Sequence, residues 1–111
     1  MRAGRRWHIV VRVRTAYAAI WEHERSPSHV GQVELSEDAL RLHDRSRQHP
    51  DDRRVELPDI AGVRVADAAT RLADLKTLVL DLRNGSQLRI AALGLGAAAE
   101  LHALLSELLL R

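Results

Sequence analysis

Two side-chain periods share this chain, and the seam between them limits its folds more than any other feature. Up to Ile90, apolar residues recur at every second position in several short runs, the period of a strand with one buried face. Beyond Gly94 and Gly96, the apolar residues Ala97, Leu101, Leu104, Leu105 and Leu108 recur at helical spacing and share one helical face. Glu100 near the start of that segment and Arg111 at its end suit the helix dipole. A succession of strands followed by one amphipathic helix is therefore expected. The helix should cover an opening or a face of the sheet.

The hairpins can be registered from their side chains. In "LVLDLRNGSQLRI" (78–90) a two-residue turn at Asn84-Gly85 would set Leu82 against Gln87 and Asp81 against Leu88, mixing the faces. A three-residue loop, Arg83-Asn84-Gly85, sets Leu80 against Leu88 and Leu78 against Ile90. Asn84-Gly85-Ser86 would match the apolar rows too. The first is preferred because it gives glycine the left-handed position of a type I turn with a G1 bulge. In "VELSEDALRL" (33–42) a two-residue turn at Glu37-Asp38 pairs Leu35 with Leu40 and Val33 with Leu42, and sets Glu34 opposite Arg41.

Other strands are expected at 54–57 and 61–65, divided by Pro58, and at 7–13, where Trp7, Ile9, Val11 and Val13 share a face. Residues 16–23, "AYAAIWEH", suit a strand or a short helix, because alanine favours helix. The polar stretch between Asp44 and Arg54 is expected to be a loop, and residues 66–75 a short helical turn or a wide loop. About seven strands in succession, with few helices between them, indicate a mainly β (α+β) antiparallel meander curled into a barrel or two-sheet sandwich.

Composition removes several functions. The absence of cysteine excludes disulfides and thiolate metal sites. A net charge of +2 is too mild to imply nucleic acid, although the first 14 residues carry five arginines and no acid. Neither "WHIVVRVR" nor "LHALLSELLLR" approaches the roughly 20 apolar residues of a membrane helix. The N-terminus lacks the apolar core of a signal peptide, so a cytoplasmic protein is expected. No Gly-x-Ser-x-Gly, His-Glu-x-x-His or phosphate-cradling glycine loop is present, and neither an enzyme nor a cofactor is expected. The six histidines match no zinc spacing. The group of His23, His29 and Glu22 or Glu24 could ligate a metal, but solvated loop histidines are the preferred account. Trp21 could stack on a ligand, although filling core volume is the commoner use of such a tryptophan.

The segments "VGQVELSEDALRLHD", "VELPDIAGVRV", "TLVLDLRNGSQLRI" and "AAAELHALLSELL" together resemble the pleckstrin-homology-like superfamily, in the manner of GRAM and bacterial PH-like domains. The resemblance covers about residues 16–110. It implies a PH-like domain over 16–111, a basic extension over 1–15 (expected to be a strand), and a C-terminal helix closing the barrel. That helix lacks the tryptophan of eukaryotic members, which fits the bacterial branch. The resemblance also implies a binding module, without choosing its ligand. The superfamily's headgroup-binding loops, carried onto this chain, contain Arg25, Arg45, Arg47, Arg53, Arg54 and Arg83, whose guanidinium forks suit phosphate or carboxylate oxygens. Glu24, Asp44, Asp51 and Asp52 in the same loops oppose them. The expectation is a non-catalytic module that engages a protein partner or a second copy, through an exposed strand edge and Leu109 and Leu110. Peripheral binding of anionic lipid through the arginine loops is the alternative, and a small enzyme or metal protein a second alternative. Nucleic acid is not expected as a partner.

Overall fold

The computed structural model describes residues 15–46 and 50–110. The strand expected at 7–13, with Trp7, and the candidate Arg47 lie outside the described residues. Seven antiparallel strands form one curled sheet: β1 (Thr15–His23), β2 (His29–Leu35), β3 (Ala39–Asp44), β4 (Asp51–Glu56), β5 (Ile60–Val65), β6 (Leu78–Leu82) and β7 (Gln87–Ala92). Among the described residues one α-helix, α1 (Ala97–Leu109), follows. The strand order is β4-β3-β2-β1-β7-β6-β5, so the first strand is paired with the last and β4 and β5 are the two outer edges. The result is a half-barrel with a helix, mainly β as expected.

Both hairpin registers hold. Val33 pairs with Leu42, Glu34 with Arg41 and Leu35 with Leu40. Leu78 pairs with Ile90 and Leu80 with Leu88. The loop between β6 and β7 is Arg83-Asn84-Gly85. Gly85 N donates to Leu82 O at 2.9 Å, Leu82 N donates to Ser86 O at 2.9 Å, and Gly85 takes a φ of 91°. Arg41, although opposite Glu34, makes its described ion pair with Asp52, at 4.0 Å.

Residues 16–23 resolve to strand. β1 sits in the middle of the sheet and is laddered to β2 on one side and β7 on the other, which overrides the helical preference of its alanines. One expectation fails. Asp51, Asp52 and Arg53, expected in the loop before the strand at 54–57, belong with Arg54 to β4. Among the described residues β4 is an edge strand held by β3 alone, and such a strand needs no row of apolar residues on both faces. Its outward Asp52 meets His43 on β3 at 3.1 Å. Leu57 leaves the strand early and opens a 3-10 turn with Pro58 and Asp59, because proline cannot extend the ladder. Residues 66–75 contain a short 3-10 turn, Ala68–Thr70, whose N-cap Asp67 accepts from Thr70 N at 3.1 Å.

The concave face holds one apolar cluster, in which Trp21, Leu40, Leu42, Leu80, Leu88 and Ile90 are almost fully buried. Gly94 and Gly96 turn the chain with φ of 108° and 75°, and α1 then lays Leu101 and Leu105 into that cluster, against β5, β7 and the Leu57–Asp59 turn. Leu104 and Leu108 border the stripe and are half-buried. Burying each leucine is worth about 1.5–3 kcal/mol, so the helix is part of the core. Tyr17 on β1 donates from its hydroxyl to Glu100 of α1. Burial, and then the neighbouring carboxylate, push the phenol's pKa up. No helix of the described residues is long and apolar enough to cross a membrane.

Candidate functional site

The sheet does not close. Among the described residues no strand pairs with the outer edge of β4 or of β5. Two adjoining cavities lie between β4 and the region where the 3-10 turn, the start of β5 and the β6–β7 loop meet. The first, of about 380 Å³, is lined by His23, Arg53, Arg54, Val55, Asp59, Leu82, Arg83 and Asn84. The second, of about 730 Å³, is lined by Glu37, Asp38, Arg54, Glu56, Leu57, Pro58, Ile60, Arg83, Leu108 and Leu109. Arg54 and Arg83 line both, so the two cavities adjoin across these side chains in one mouth, and each mixes charged with apolar lining.

Local structure positions each arginine. Arg83 is the first residue of the β6–β7 loop. Its backbone N donates to Asp59 O at 2.9 Å, and its side-chain Nε donates to Pro58 O at 2.6 Å. The loop is thereby pinned to the 3-10 turn. Arg53 shares the inward parity of Val55 on β4, and its Nε lies 3.8 Å from Asp51 Oδ2. Arg54 is held by Glu56, whose carboxylate raises its guanidinium pKa further. His23 ends β1 and places Nε2 3.1 Å from Ser86 Oγ.

The six expected arginines therefore divide. Arg53, Arg54 and Arg83 come together in the mouth. Arg25 and Arg45 are exposed, in the β1–β2 and β3–β4 connections, and do not line it. Asn84 joins the mouth without having been singled out, and so does His23, which was weighed only as a metal ligand. Their meeting in the mouth was visible only in three dimensions.

A second cluster sits where β2, β3 and β4 converge. His29 Nδ1 is 2.8 Å from Asp44 Oδ2, and its Nε2 is 3.9 Å from Asp51 Oδ2. Its ring stacks on Trp21 with centroids 5.8 Å apart. Asp44 is only 6% exposed and also accepts from Ser46 N at 2.8 Å. That backbone donor is the main reason its carboxyl pKa lies below the ordinary value, with His29 adding to the effect and burial opposing it. His29 is thus a strand residue tied to a buried carboxylate, which corrects its reading as a solvated loop histidine. Strand parity carried the signal, because His29 alternates with Val33 and Leu35, and Asp44 with Leu40 and Leu42.

The weighed grouping of His23, His29, Glu22 and Glu24 does not assemble. His23 turns to Ser86, His29 to Asp44, Glu22 to Arg89 and Ser28, and Glu24 to the backbone N of Gln87. Among the described residues no three His, Asp or Glu side chains are arranged to hold a metal. Trp21 fills core volume, with no exposed surface.

No family model matches the chain, and neither does any curated protein. Among solved structures the chain is similar to the C-terminal domain of an unknown protein from Leishmania infantum. The identity is 12%, the TM-score 0.66, and the match covers 92% of this chain and 89% of that one. The likeness is one of fold.

Proposed function

We propose that this chain is a non-catalytic binding module of the pleckstrin-homology-like kind that seats a protein partner in the mouth between β4 and the β5 corner. The observation that carries the reading is the pair of adjoining cavities that share Arg54 and Arg83, beside a β4 edge that no described strand pairs. A cavity with an apolar floor and a few convergent polar groups is the usual form of a binding site. The outer β4 edge, unpaired among the described residues, offers backbone donors and acceptors to an incoming segment. Leu109, half-buried at the end of α1, forms part of the apolar wall, and Leu110 beyond it is 87% exposed.

Site-specific photo-cross-linking tests this. A cross-linking residue at Leu109 is expected to capture a discrete partner, or a second copy of the chain. The same residue at Val30, exposed on β2 away from the mouth, is expected to capture nothing. Equal capture at both positions, or none at Leu109, would defeat the reading.

The convergence of Arg53, Arg54 and Arg83 also favours a second reading, peripheral attachment to anionic lipid headgroups. Sedimentation with vesicles of phosphatidylserine in phosphatidylcholine tests it. Binding that survives Arg53→Ala combined with Arg83→Ala, or no binding by the wild type, removes it.

A further inference from the structure

Independently of any partner in the mouth, we propose that His29 is a proton-operated latch on the first residues of β4. Its imidazolium clamps Asp51 to β2 and β3, and its neutral ring releases Asp51 to Arg53.

The geometry fixes which ring nitrogen carries each proton. Asp44 Oδ2 lies 2.8 Å from His29 Nδ1, and Asp44 Oδ1 accepts from Ser46 N at 2.8 Å. The Asp44 carboxyl, held below its ordinary pKa, is ionised and only accepts. Nδ1 is therefore the donor of this pair and keeps its proton. The other nitrogen, Nε2, faces Asp51 Oδ2 at 3.9 Å. That oxygen is sealed from solvent and has no hydrogen-bond partner among the described residues. In the neutral ring Nε2 carries a lone pair, which repels Oδ2. In the imidazolium it carries N–H, which Oδ2 accepts after an approach of about 1 Å. A buried acceptor left without a donor is costly, so the site favours the protonated ring.

The groups packed around the ring act in the same direction, apart from burial. Trp21 of β1 stacks on it with centroids 5.8 Å apart, and an indole face attracts a cation at about this range. β3 supplies Asp44 and β4 supplies Asp51, while burial of the ring opposes its charge. Arg53 Nε lies 3.8 Å from the same Asp51 Oδ2, so His29 and Arg53 compete for one oxygen. When the ring loses its proton, Asp51 turns to Arg53 and the start of β4 is no longer tied to β2. His43 and Asp52, 3.1 Å apart, join β3 to β4 on the outward parity, away from His29. Imidazole changes charge between about pH 5 and 8. The latch is closed on the acid side of that range, and its contribution is lost as pH rises.

NMR titration of the full chain across that range tests the proposal. At the alkaline end, long-range proton–nitrogen correlation should show His29 protonated at Nδ1 alone. As pH falls, Nε2 should gain a proton. The amides of Asp51, Asp52 and Arg53 should shift with the same midpoint and exchange with solvent several-fold more slowly, after correction for intrinsic rates. Asp51→Asn should lower the His29 midpoint by about one pH unit, through the loss of one nearby charge. His29→Gln should leave the β4 amides indifferent to pH over the range, whereas His43→Gln should leave their response intact. Circular dichroism melts establish that the variants are folded. If a variant does not fold, the wild-type tautomer and the shared midpoint still decide. A neutral ring protonated at Nε2, a midpoint unmoved by Asp51→Asn, or β4 amides that ignore the His29 transition overturns the proposal. So does a response kept in His29→Gln and lost in His43→Gln. None of these outcomes depends on whether cross-linking at Leu109 captures a partner.

Discussion

Gly31 offers the sharpest test of how the half-barrel curls, because local preference and packing predict opposite signs there. Glycine weakens a strand, and its replacement by alanine at a compatible backbone conformation gains about 0.4–1 kcal/mol by restricting the unfolded chain. Gly31 is in β2, and its φ lies outside the left-handed region, so the backbone would accept alanine. Packing does not. A Cβ at Gly31 would stand 1.9 Å from the carbonyl O of His43, 2.9 Å from its carbonyl C and 3.0 Å from Asp44 Cα. All three are backbone atoms of β3, which passes over Gly31 just beyond the Gln32–His43 pair, and no rotamer change relieves the contact. β3 must move, and Asp44 with its hold on His29 moves too.

Overpacking of this kind costs about 3 kcal/mol, so Gly31→Ala is expected to remain net destabilising by about 2 kcal/mol after the chain-entropy gain. For a chain of this size that lowers Tm by roughly 8–16 °C. Urea denaturation measures it, with the slope m checked for constancy. Gly62→Ala is the internal control. Gly62 is also outside the left-handed region, and a Cβ there meets nothing within 4 Å, so stability should rise by about 0.5 kcal/mol. A Gly31→Ala protein as stable as wild type, at unchanged m, would refute the close crossing of β2 and β3.

Leu105→Ala is expected to cost about 3 kcal/mol by chemical denaturation, since a fully buried leucine of α1 leaves a cavity in the core. A loss below about 1 kcal/mol would mean the helix is not docked. Tyr17 is the sole tyrosine, so an ultraviolet titration reads it cleanly, and Glu100→Gln should lower its midpoint while leaving it above that of free tyrosine, because burial is the larger cause. An unmoved midpoint would deny the β1–α1 contact. Asp44 has a folded pKa below its unfolded value, so its contribution to stability is present above the unfolded value, about 4, and is lost as pH falls through the folded one. The stability gap between wild type and Asp44→Asn should therefore shrink as pH falls below about 4. Parallel stability curves for the two proteins across that range would contradict this.

The registers of β2–β3 and β6–β7 and the stripe of α1 could be read from the chain because they are short-range. Residues opposite in a tight hairpin share a face, and Leu101 and Leu105 share one through helical spacing alone. The start of β4 could not, because Asp51–Arg53 carry no apolar alternation and were read as loop, whereas its end falls in the strand expected at 54–57. Period is a local property of the chain, so Val33, Leu42, Leu80, Leu88 and the leucines of α1 declared their faces unaided. The mouth depends on how far the sheet curls and where it stops closing. His23, Arg53 and Arg83 meet there from β1, β4 and the β6–β7 loop, and His29 meets Asp44 across the β2–β3 connection. Only the tertiary structure decided the meeting in the mouth, because it arises from packing between segments distant in sequence, which leaves no spacing to read, whereas strand parity already set His29 and Asp44 on one face.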